Sequence, residues 1–509
     1  MPHLLRRLGA SSLPMSSVRR ARWALVIVGL VELGLFALHH RDQWQQGLVR
    51  IATPQALTGE GLVVHGDGLG YYAWLRSALI DHDWSFDNEF DEHNPFRGKI
   101  PGPNARTALG LRANPWSIGP ACVWSLGVVP GHLLLQMLQP YGVPWPADGY
   151  SLPYQLLVGA ITLVFSLAGL AFLYGICRQF ARPVRAALAA TFLTLGTTVV
   201  YYTSIEPSMG HALGTTALAA LVWYWLRYHG STRAGRWFVV GVLVGVAALM
   251  RWQLACFAAL PAGEALLACW NGCRMRSRQA TCQPLLGLAV AAVGAGIAFS
   301  PQMVAWHHVY GHWLGSPLRL RHNWLQPSLW EVLGSQNRSL FYWTPLSLLA
   351  VAGFFSFRRQ AKPVASAPLL LLAGTVLLQI YILASIRGDE VFLGSSFGFR
   401  QLTETLVALA PGMALLLERA TPRWYRALGV LGCVLVLWNL LLICEYRYLL
   451  LPPAGGASPA RLLRNLFWLV HAKPIIVIGQ IVVPLAIGLL LCRAEKGPAT
   501  RGNQQLAAA

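Results

Sequence analysis

A chain of 509 residues with 55% hydrophobic and only 12% charged residues, and a mean hydropathy of +0.48, is built for a membrane. Its apolar runs are about 20 residues long and do not alternate, which fits bilayer-crossing helices and excludes an outer-membrane barrel. The net charge of +20 suggests nucleic acid at first sight, but its distribution along the chain excludes that reading.

The first apolar run, Trp23 to Leu38, follows Arg19, Arg20 and Arg22. It is longer than a signal-peptide core and no small-residue cleavage site follows, so it is read as a retained first helix behind a cytoplasmic segment 1–21. Hydropathy predicts twelve transmembrane helices, at 22–39, 153–177, 184–203, 208–227, 236–250, 253–270, 283–302, 341–356, 366–386, 402–419, 426–444 and 475–492. The run 117–138 is also apolar, but Gly119, Pro120, Pro130 and Gly131 interrupt it, and a helix lying on or dipping into the membrane is expected there. The fold class expected is an all-α integral membrane protein, one polytopic domain over 1–509. Its long first outer loop, 40–152, would contain amphipathic juxtamembrane helices, and 493–509 would form a cytoplasmic tail. No soluble domain, internal repeat or Gly-rich phosphate loop is legible.

Charge placement gives this scheme a direction. With the N-terminus in the cytoplasm, the inner loops collect Arg178, Arg182 and Arg185, then Arg227, Arg233 and Arg236, then Arg274, Arg276 and Arg278. Arg358, Arg359 and Lys362, Arg419, Arg423 and Arg426, and the tail's Arg493, Lys496 and Arg501 follow, with only Glu418 and Glu495 as acids on that side. This is the positive-inside bias at nearly every turn. It predicts a multi-pass protein of the inner (plasma) membrane with both termini cytoplasmic, and it leaves no nucleic-acid partner.

The outer segments hold the residues that can do chemistry. Gly66 to Asn94 carries Asp67, Asp81, Asp83, Asp87, Glu89, Asp91 and Glu92, seven of the twenty acidic residues. Asp67 lies between Gly66 and Gly68, ahead of the amphipathic run YYAWLRSALI with Tyr71, Tyr72 and Arg76. Glycines there let the backbone turn sharply and bring a carboxylate to a helix start, where it is either an N-cap or a reactive group. Asp81 to Glu92 read either as a solvated turn cluster or as a divalent-metal site. Glu206, in YYTSIEPSMGHALG, is an ionisable group at the membrane edge ahead of His211, and equally a first-turn acid for a helix begun by Pro207 and Ser208. Arg251 and Arg400 stand at apolar boundaries, where a guanidinium holds a phosphate in a fork or snorkels to lipid headgroups. His308 and His312 have metal-ligand spacing without a third ligand nearby and read as interface histidines. Glu32, Glu264 and Glu404 are the acids expected inside spans. The nine cysteines show neither metal spacing nor a disulfide framework and are read as core residues, and Asn337-Arg338-Ser339 matches a glycosylation sequon.

Taken in order, GDGLGYYAWLRSALIDHDWSFDNEF, NPWSIGPACVWSLGVVP, DGYSLPYQLLVGA, YYTSIEPSMGHALG, ALMRWQLACF, SLFYWTPLSLLAVAGFF and SFGFR resemble the bacterial multi-spanning GT-C glycosyltransferases, the class that includes the protein O-mannosyltransferases and the aminoarabinose transferase. The resemblance covers most of residues 20–420. It implies a GT-C-like fold and transfer of a sugar from a polyprenyl-phosphate carrier to an acceptor of the cell envelope on the outer face, with membrane lipids around the carrier. It also implies Asp67 as general base and Glu206 as second catalytic acid. Tyr71, Tyr72, Arg76, His211, Arg251 and Arg400 are the expected substrate-binding residues. The first loop has a single Asp67 with no adjacent second acid, unlike the protein mannosyltransferases, and a divalent metal is left open as cofactor. The alternative is a transporter or flippase of a lipid-linked glycan or other lipid, which would need charges buried along a mid-membrane path.

Overall fold

The computed structural model describes residues 15–50, 63–91, 105–315, 321–356, 363–386, 396–451 and 456–491, and its extended regular structure is helical. The chain begins with α1 (Met15–Arg50), whose buried face runs through Ser17, Ala21, Ala24, Val28, Glu32 and Phe36 at the three-to-four spacing of one helix side. A short α2 (Asp67–Arg76) and an apolar α3 (Gly119–Leu138) belong to the first loop. The bundle proper starts with α4 (Leu152–Arg178), followed by α5 (Pro183–Leu195) and α6 (Thr198–Ser204). Next come α7 (His211–Arg227), α8 (Ala234–Met250), α9 (Ala259–Arg274) and α10 (Arg278–Tyr310). The last helices are α11 (Leu346–Ser356), α12 (Pro363–Ala384), α13 (Ala410–Arg419), α14 (Pro422–Arg447), α15 (Pro459–Ala472) and α16 (Pro474–Leu491).

Small residues set the tightest packing. A Cβ on Gly241 would lie 1.9 Å from the Ala291 carbonyl oxygen and one on Gly245 would lie 2.4 Å from that of Ala295, so α8 and α10 touch backbone to backbone. These contacts also fix direction: 241 meets 291 and 245 meets 295, so the two helices run parallel.

The turns between helices sort into two ends. At one end lie the basic loops, held by the half-buried Glu418 and the buried Glu264. Glu418 takes Arg182 Nε at 2.9 Å and the Arg182 backbone N–H at 3.0 Å. Glu264 accepts from Trp225 Nε1 at 2.7 Å, from the Gly230 N–H at 2.9 Å and from Arg236. At the other end sit α2, the start of α7, the end of α8 and the 3₁₀ turns after Phe399.

Among the described residues eight helices are long and apolar enough to cross a membrane, nine if a bent pair counts as one span, so the expected twelve are not reached. Two of the expected spans are irregular. The span 184–203 breaks into α5 and α6, bent by 69°. The span 402–419 is a 3₁₀ segment Glu404–Leu409 followed by the short α13. The helix expected from 208 starts at His211, because Pro207–Met209 forms its own 3₁₀ turn. The run 117–138 is one continuous helix despite Pro130, and by length and composition it could span. It packs along α4: Trp124 Nε1 donates to Thr162 Oγ1 at 2.9 Å and His132 Nδ1 meets Tyr154 Oη at 2.6 Å. Thus α3 runs antiparallel to the first half of α4 and stays on one side of the bundle. The segments 1–14 and 492–509, the Arg358–Lys362 loop and Glu92 lie outside the described residues.

The break between α5 and α6 is stabilised from a distance. Asn439 of α14, fully buried, donates through Nδ2 to the carbonyls of Leu195 (2.9 Å) and Thr197 (2.8 Å), which the broken helix leaves unpaired. In hydrocarbon no water can take over those acceptors. Replacing Asn439 by Leu is expected to lower unfolding free energy by about 2–4 kcal/mol, since two buried carbonyls lose their donors. SDS-driven unfolding of the purified protein measures this, and an unchanged midpoint would mean that the break needs no support.

Candidate active site

The site is assembled where four helix ends meet. Gly66 has φ +55°, a left-handed conformation that turns the chain into α2, and a Cβ on Gly68 would lie 2.1 Å from Ser208 Oγ. The glycines therefore press the start of α2 against the Pro207–Met209 turn. Asp67 becomes the first residue of α2, and among the described residues no backbone N–H bonds to its carboxylate. Its Oδ2 instead lies 3.1 Å from Arg400 Nη1, and the side chain is 26% exposed. The N-cap reading of Asp67 is thereby replaced by an ion pair made through one carboxylate oxygen of a partly exposed side chain.

Beneath this pair is a buried cluster. Arg251 ends α8 in extended conformation, with φ −151° and ψ 120°, which sends its side chain across the helix ends. Its Nη1 donates to Tyr71 Oη at 3.0 Å, and its Nε lies 2.9 Å from Glu404 Oε1. The same Glu404 oxygen is 3.0 Å from His211 Nδ1, and both Glu404 and His211 are 0% exposed. With Nδ1 donating to the carboxylate, His211 Nε2 is an acceptor, and it faces Arg251 Nη1 at 3.4 Å. Gly214 makes room for this: a Cβ there would lie 3.1 Å from Glu404 and 3.3 Å from Arg251.

On the other flank Glu206 precedes the Pro207–Met209 turn rather than opening a helix. Its Oε2 is 2.8 Å from His65 Nε2, and its Oε1 accepts from Tyr201 Oη at 3.3 Å. Burial lowers the His65 pKa, but the Glu206 carboxylate beside it, with Asp67 behind, outweighs burial and raises it above the ordinary histidine value. Arg338, 3% exposed and at φ +61°, donates through Nη1 to Ser396 Oγ at 3.3 Å in the turn that delivers Arg400.

Asp67, Tyr71, Glu206, His211, Arg251 and Arg400 thus converge as a set. Tyr72 and Arg76 do not join them. Successive residues on a helix point about 100° apart, so while Tyr71 faces Arg251, Tyr72 turns the other way and donates to the Gly149 carbonyl at 2.8 Å. Arg76, a turn later, is bound by Glu89 at 2.9 Å, by Asp81 and by the Asp148 carbonyl, over the Tyr150 ring. The remaining loop acids are likewise engaged: Asp87 by Arg106 at 2.8 Å, Asp91 by Arg112, Asp83 by Ser77 at 2.8 Å. They brace the loop, and among the described residues no three His, Cys, Asp or Glu side chains gather as metal ligands. Arg400 is the ion-pair partner of Asp67 and Arg251 lies beneath the pair, a donor set that suits an anion. His307 stacks on Trp313 and His308 on Trp84, as interface histidines do.

Three groups of the candidate site escaped the sequence reading. Glu404 was placed inside an apolar span, and only its distance of four residues from Arg400 hinted at a shared helix face. His65 directly precedes the GDG turn, and Arg338 was noticed only within a sequon.

The His65–Glu206 pair carries a pH signature. A raised histidine pKa contributes stability that is fully present below the unfolded value of 6.5 and is lost as pH rises through the higher folded value. The thermal midpoint of the wild type should therefore fall as pH climbs from 6.5 upward, while that of His65→Gln stays flatter over the same window. Parallel profiles for the two proteins would refute the pairing.

Residues 156–304 match the family described as dolichyl-phosphate-mannose-protein mannosyltransferase, a stretch from α4 into α10 that includes Glu206, His211 and Arg251. No curated protein matches the chain. Among solved structures it is similar to the apo oligosaccharyltransferase of Archaeoglobus fulgidus, at 11% identity and a TM-score of 0.47, covering 96% of this chain and 59% of that one. It is also similar to apo ArnT from Cupriavidus metallidurans, at 14% identity and TM-score 0.45, covering 92% and 75% of the two chains. For the arabinosyltransferase EmbB of Mycobacterium smegmatis the values are 13% and 0.44, with 91% and 40% covered. The chain thus spans 59% of the length of the archaeal enzyme. With residues 156–304 matched and the remaining motifs in order on either side, the resemblance to the GT-C class of multi-spanning membrane glycosyltransferases is borne out.

Proposed function

We propose that the chain transfers a sugar from a polyprenyl-phosphate carrier to an acceptor hydroxyl of the cell envelope at the outer face of the membrane, with Asp67 as the general base. The observation that carries this reading is the Asp67–Arg400 pair at 3.1 Å, partly exposed, above a buried Arg251–Glu404–His211 cluster. Arg400 orients Asp67 through one oxygen, and the other oxygen takes the proton from an incoming hydroxyl. As the hydroxyl oxygen attacks the anomeric carbon, the bond to the carrier phosphate breaks and negative charge grows on that phosphate. Guanidiniums already fixed in place are suited to receive that charge without reorganising. Arg400 and Arg251 are the groups at hand, and Glu404 keeps Arg251 aligned. Glu206, tied to His65 and Tyr201, borders Asp67 and is placed to orient the acceptor or sugar hydroxyls.

The outer location rests on charge. The basic loops with Arg178, Arg182, Arg227, Arg236, Arg274 and Arg278 share the opposite end of the bundle, and the positive-inside bias puts that end in the cytoplasm. The carrier headgroup and Asp67 are then on the same side.

Transfer from radiolabelled polyprenyl-phosphate sugars, measured with the purified protein, tests the reading. Asp67→Asn is expected to lower kcat by about 10²–10⁴-fold, and Glu206→Gln to have a smaller effect. Arg400→Lys keeps the charge but loses the planar fork, so donor KM should rise with it. Full transfer by a normally inserted Asp67→Asn would end the assignment.

A further inference from the structure

Glu32 lies on the buried stripe of α1, between Val28 and Phe36, and is 1% exposed. A carboxyl in an apolar stripe is costly unless something bonds or neutralises it. Thr203 Oγ1 donates to its Oε1 at 3.0 Å, while Oε2 has no hydrogen-bond partner among the described residues and no access to solvent. The side chain lines a cavity of about 20 Å³ enclosed by Ser166 of α4, Thr194 of α5, Thr203 of α6 and Thr215 and Thr216 of α7. That volume holds one small species.

The chemistry of the wall selects that species. The Ser166 hydroxyl donates to the Thr162 carbonyl at 2.8 Å, Thr215 to that of His211 at 2.8 Å and Thr216 to that of Phe165 at 2.9 Å. Thr203 spends its one hydrogen either on Glu32 itself or on the Val200 carbonyl 3.2 Å away. Each of these oxygens therefore turns only lone pairs toward the cavity, beside an acceptor-only carboxylate. Hard oxygen acceptors around one negative charge match an alkali cation. A divalent ion would leave an uncompensated charge in the hydrocarbon, because Glu32 is the one ionisable residue in the described lining.

We propose that this cavity binds a single desolvated monovalent cation of sodium size, held by Glu32 with Thr203, Thr215 and Ser166. The ion neutralises Glu32 and ties α1 to α4, α6 and α7. Thr215 is one turn beyond His211 and Val407 lies just past Glu404 in the 3₁₀ segment, so the ion sits directly beneath the Arg251–Glu404–His211 cluster. The inference stands on the cavity alone and is independent of the proposed transfer reaction.

The test uses the purified full-length chain with radioactive sodium in a scintillation-proximity assay, together with thermal unfolding in sodium chloride and in choline chloride at equal ionic strength. Saturable binding of one sodium per chain and a sodium-specific rise in midpoint are expected. Glu32→Gln, nearly isosteric, should abolish both, and Thr215→Val should raise the half-saturating sodium concentration several-fold. The wild-type comparison of sodium with choline decides the matter even if a variant fails to fold. Absence of saturable binding and of any ion-specific shift would overturn the proposal. So would an infrared carboxylic-acid C=O band in sodium that Glu32→Gln removes, because Glu32 would then carry a proton instead of an ion.

Discussion

The architecture at the end that holds the candidate site depends on one buried carboxylate. Glu404 has no contact with solvent, yet it meets a guanidinium and an imidazole that come from different helices. A lone buried charge in a membrane bundle costs several kcal/mol even after relaxation, and a well-placed counter-charge with hydrogen bonds offsets most of that. Arg251 supplies the charge and His211 the additional donor. Because Arg251 also bonds Tyr71, the same carboxylate indirectly positions α2, whose first residue is Asp67. The start of α7, the end of α8, the 3₁₀ segment and α2 are thereby fixed to one another by a single group.

Regular helices alone could not bring these groups together. Glu404 reaches Arg251 because residues 404–409 wind as a 3₁₀ helix, narrower than an α-helix, and Arg251 reaches across because the chain leaves α8 extended. Tyr201 and Glu206 reach the site because the chain bends by 69° after α5. Each irregularity frees backbone groups that the bilayer cannot satisfy, and each is met from inside the protein, as the Asn439 side chain does for Leu195 and Thr197. Among the described residues the opposite end has no comparable breaks, and it is fastened by Glu418 and Glu264 with their arginines. One end is clamped and regular; the other is broken up into a site.

This difference explains what was legible in the sequence. Helical class, the basic end and the prominence of Asp67, Glu206, Arg251 and Arg400 follow from polar residues standing at the borders of apolar runs, a signal that survives averaging over a window. Glu404 was hidden by that same averaging: a single acid in the run 402–419 barely lowers its hydropathy, and nothing local announces the 3₁₀ winding. Tyr72 and Arg76 were assigned to the site because the run YYAWLR does not reveal which of its faces turns inward. That choice was made by distant partners, Gly149 and Glu89 on one side and Arg251 on the other. The count of twelve spans is not confirmed among the described residues, for the related reason that hydropathy measures composition and not continuity.

Depth supplies a further constraint on the substrate. Since α8 and α10 run parallel with 245 beside 295, the end of α8 at Met250 is level with residue 300, and α10 continues to Tyr310. Ten more residues at 1.5 Å each raise its end about 15 Å above Arg251. The first half of α4 rises likewise, and α3 packs along it with Leu126, Leu133, Leu134 and Met137 exposed. The charged cluster therefore lies below a rim whose outward face is apolar and suited to lipid. A water-borne nucleotide sugar would have to descend past that rim and shed its hydration. On the proposed reading, a sugar phosphate on an isoprenoid would keep its tail against the apolar helices and offer its phosphate at the level of the guanidiniums, which suits a donor arriving through the membrane.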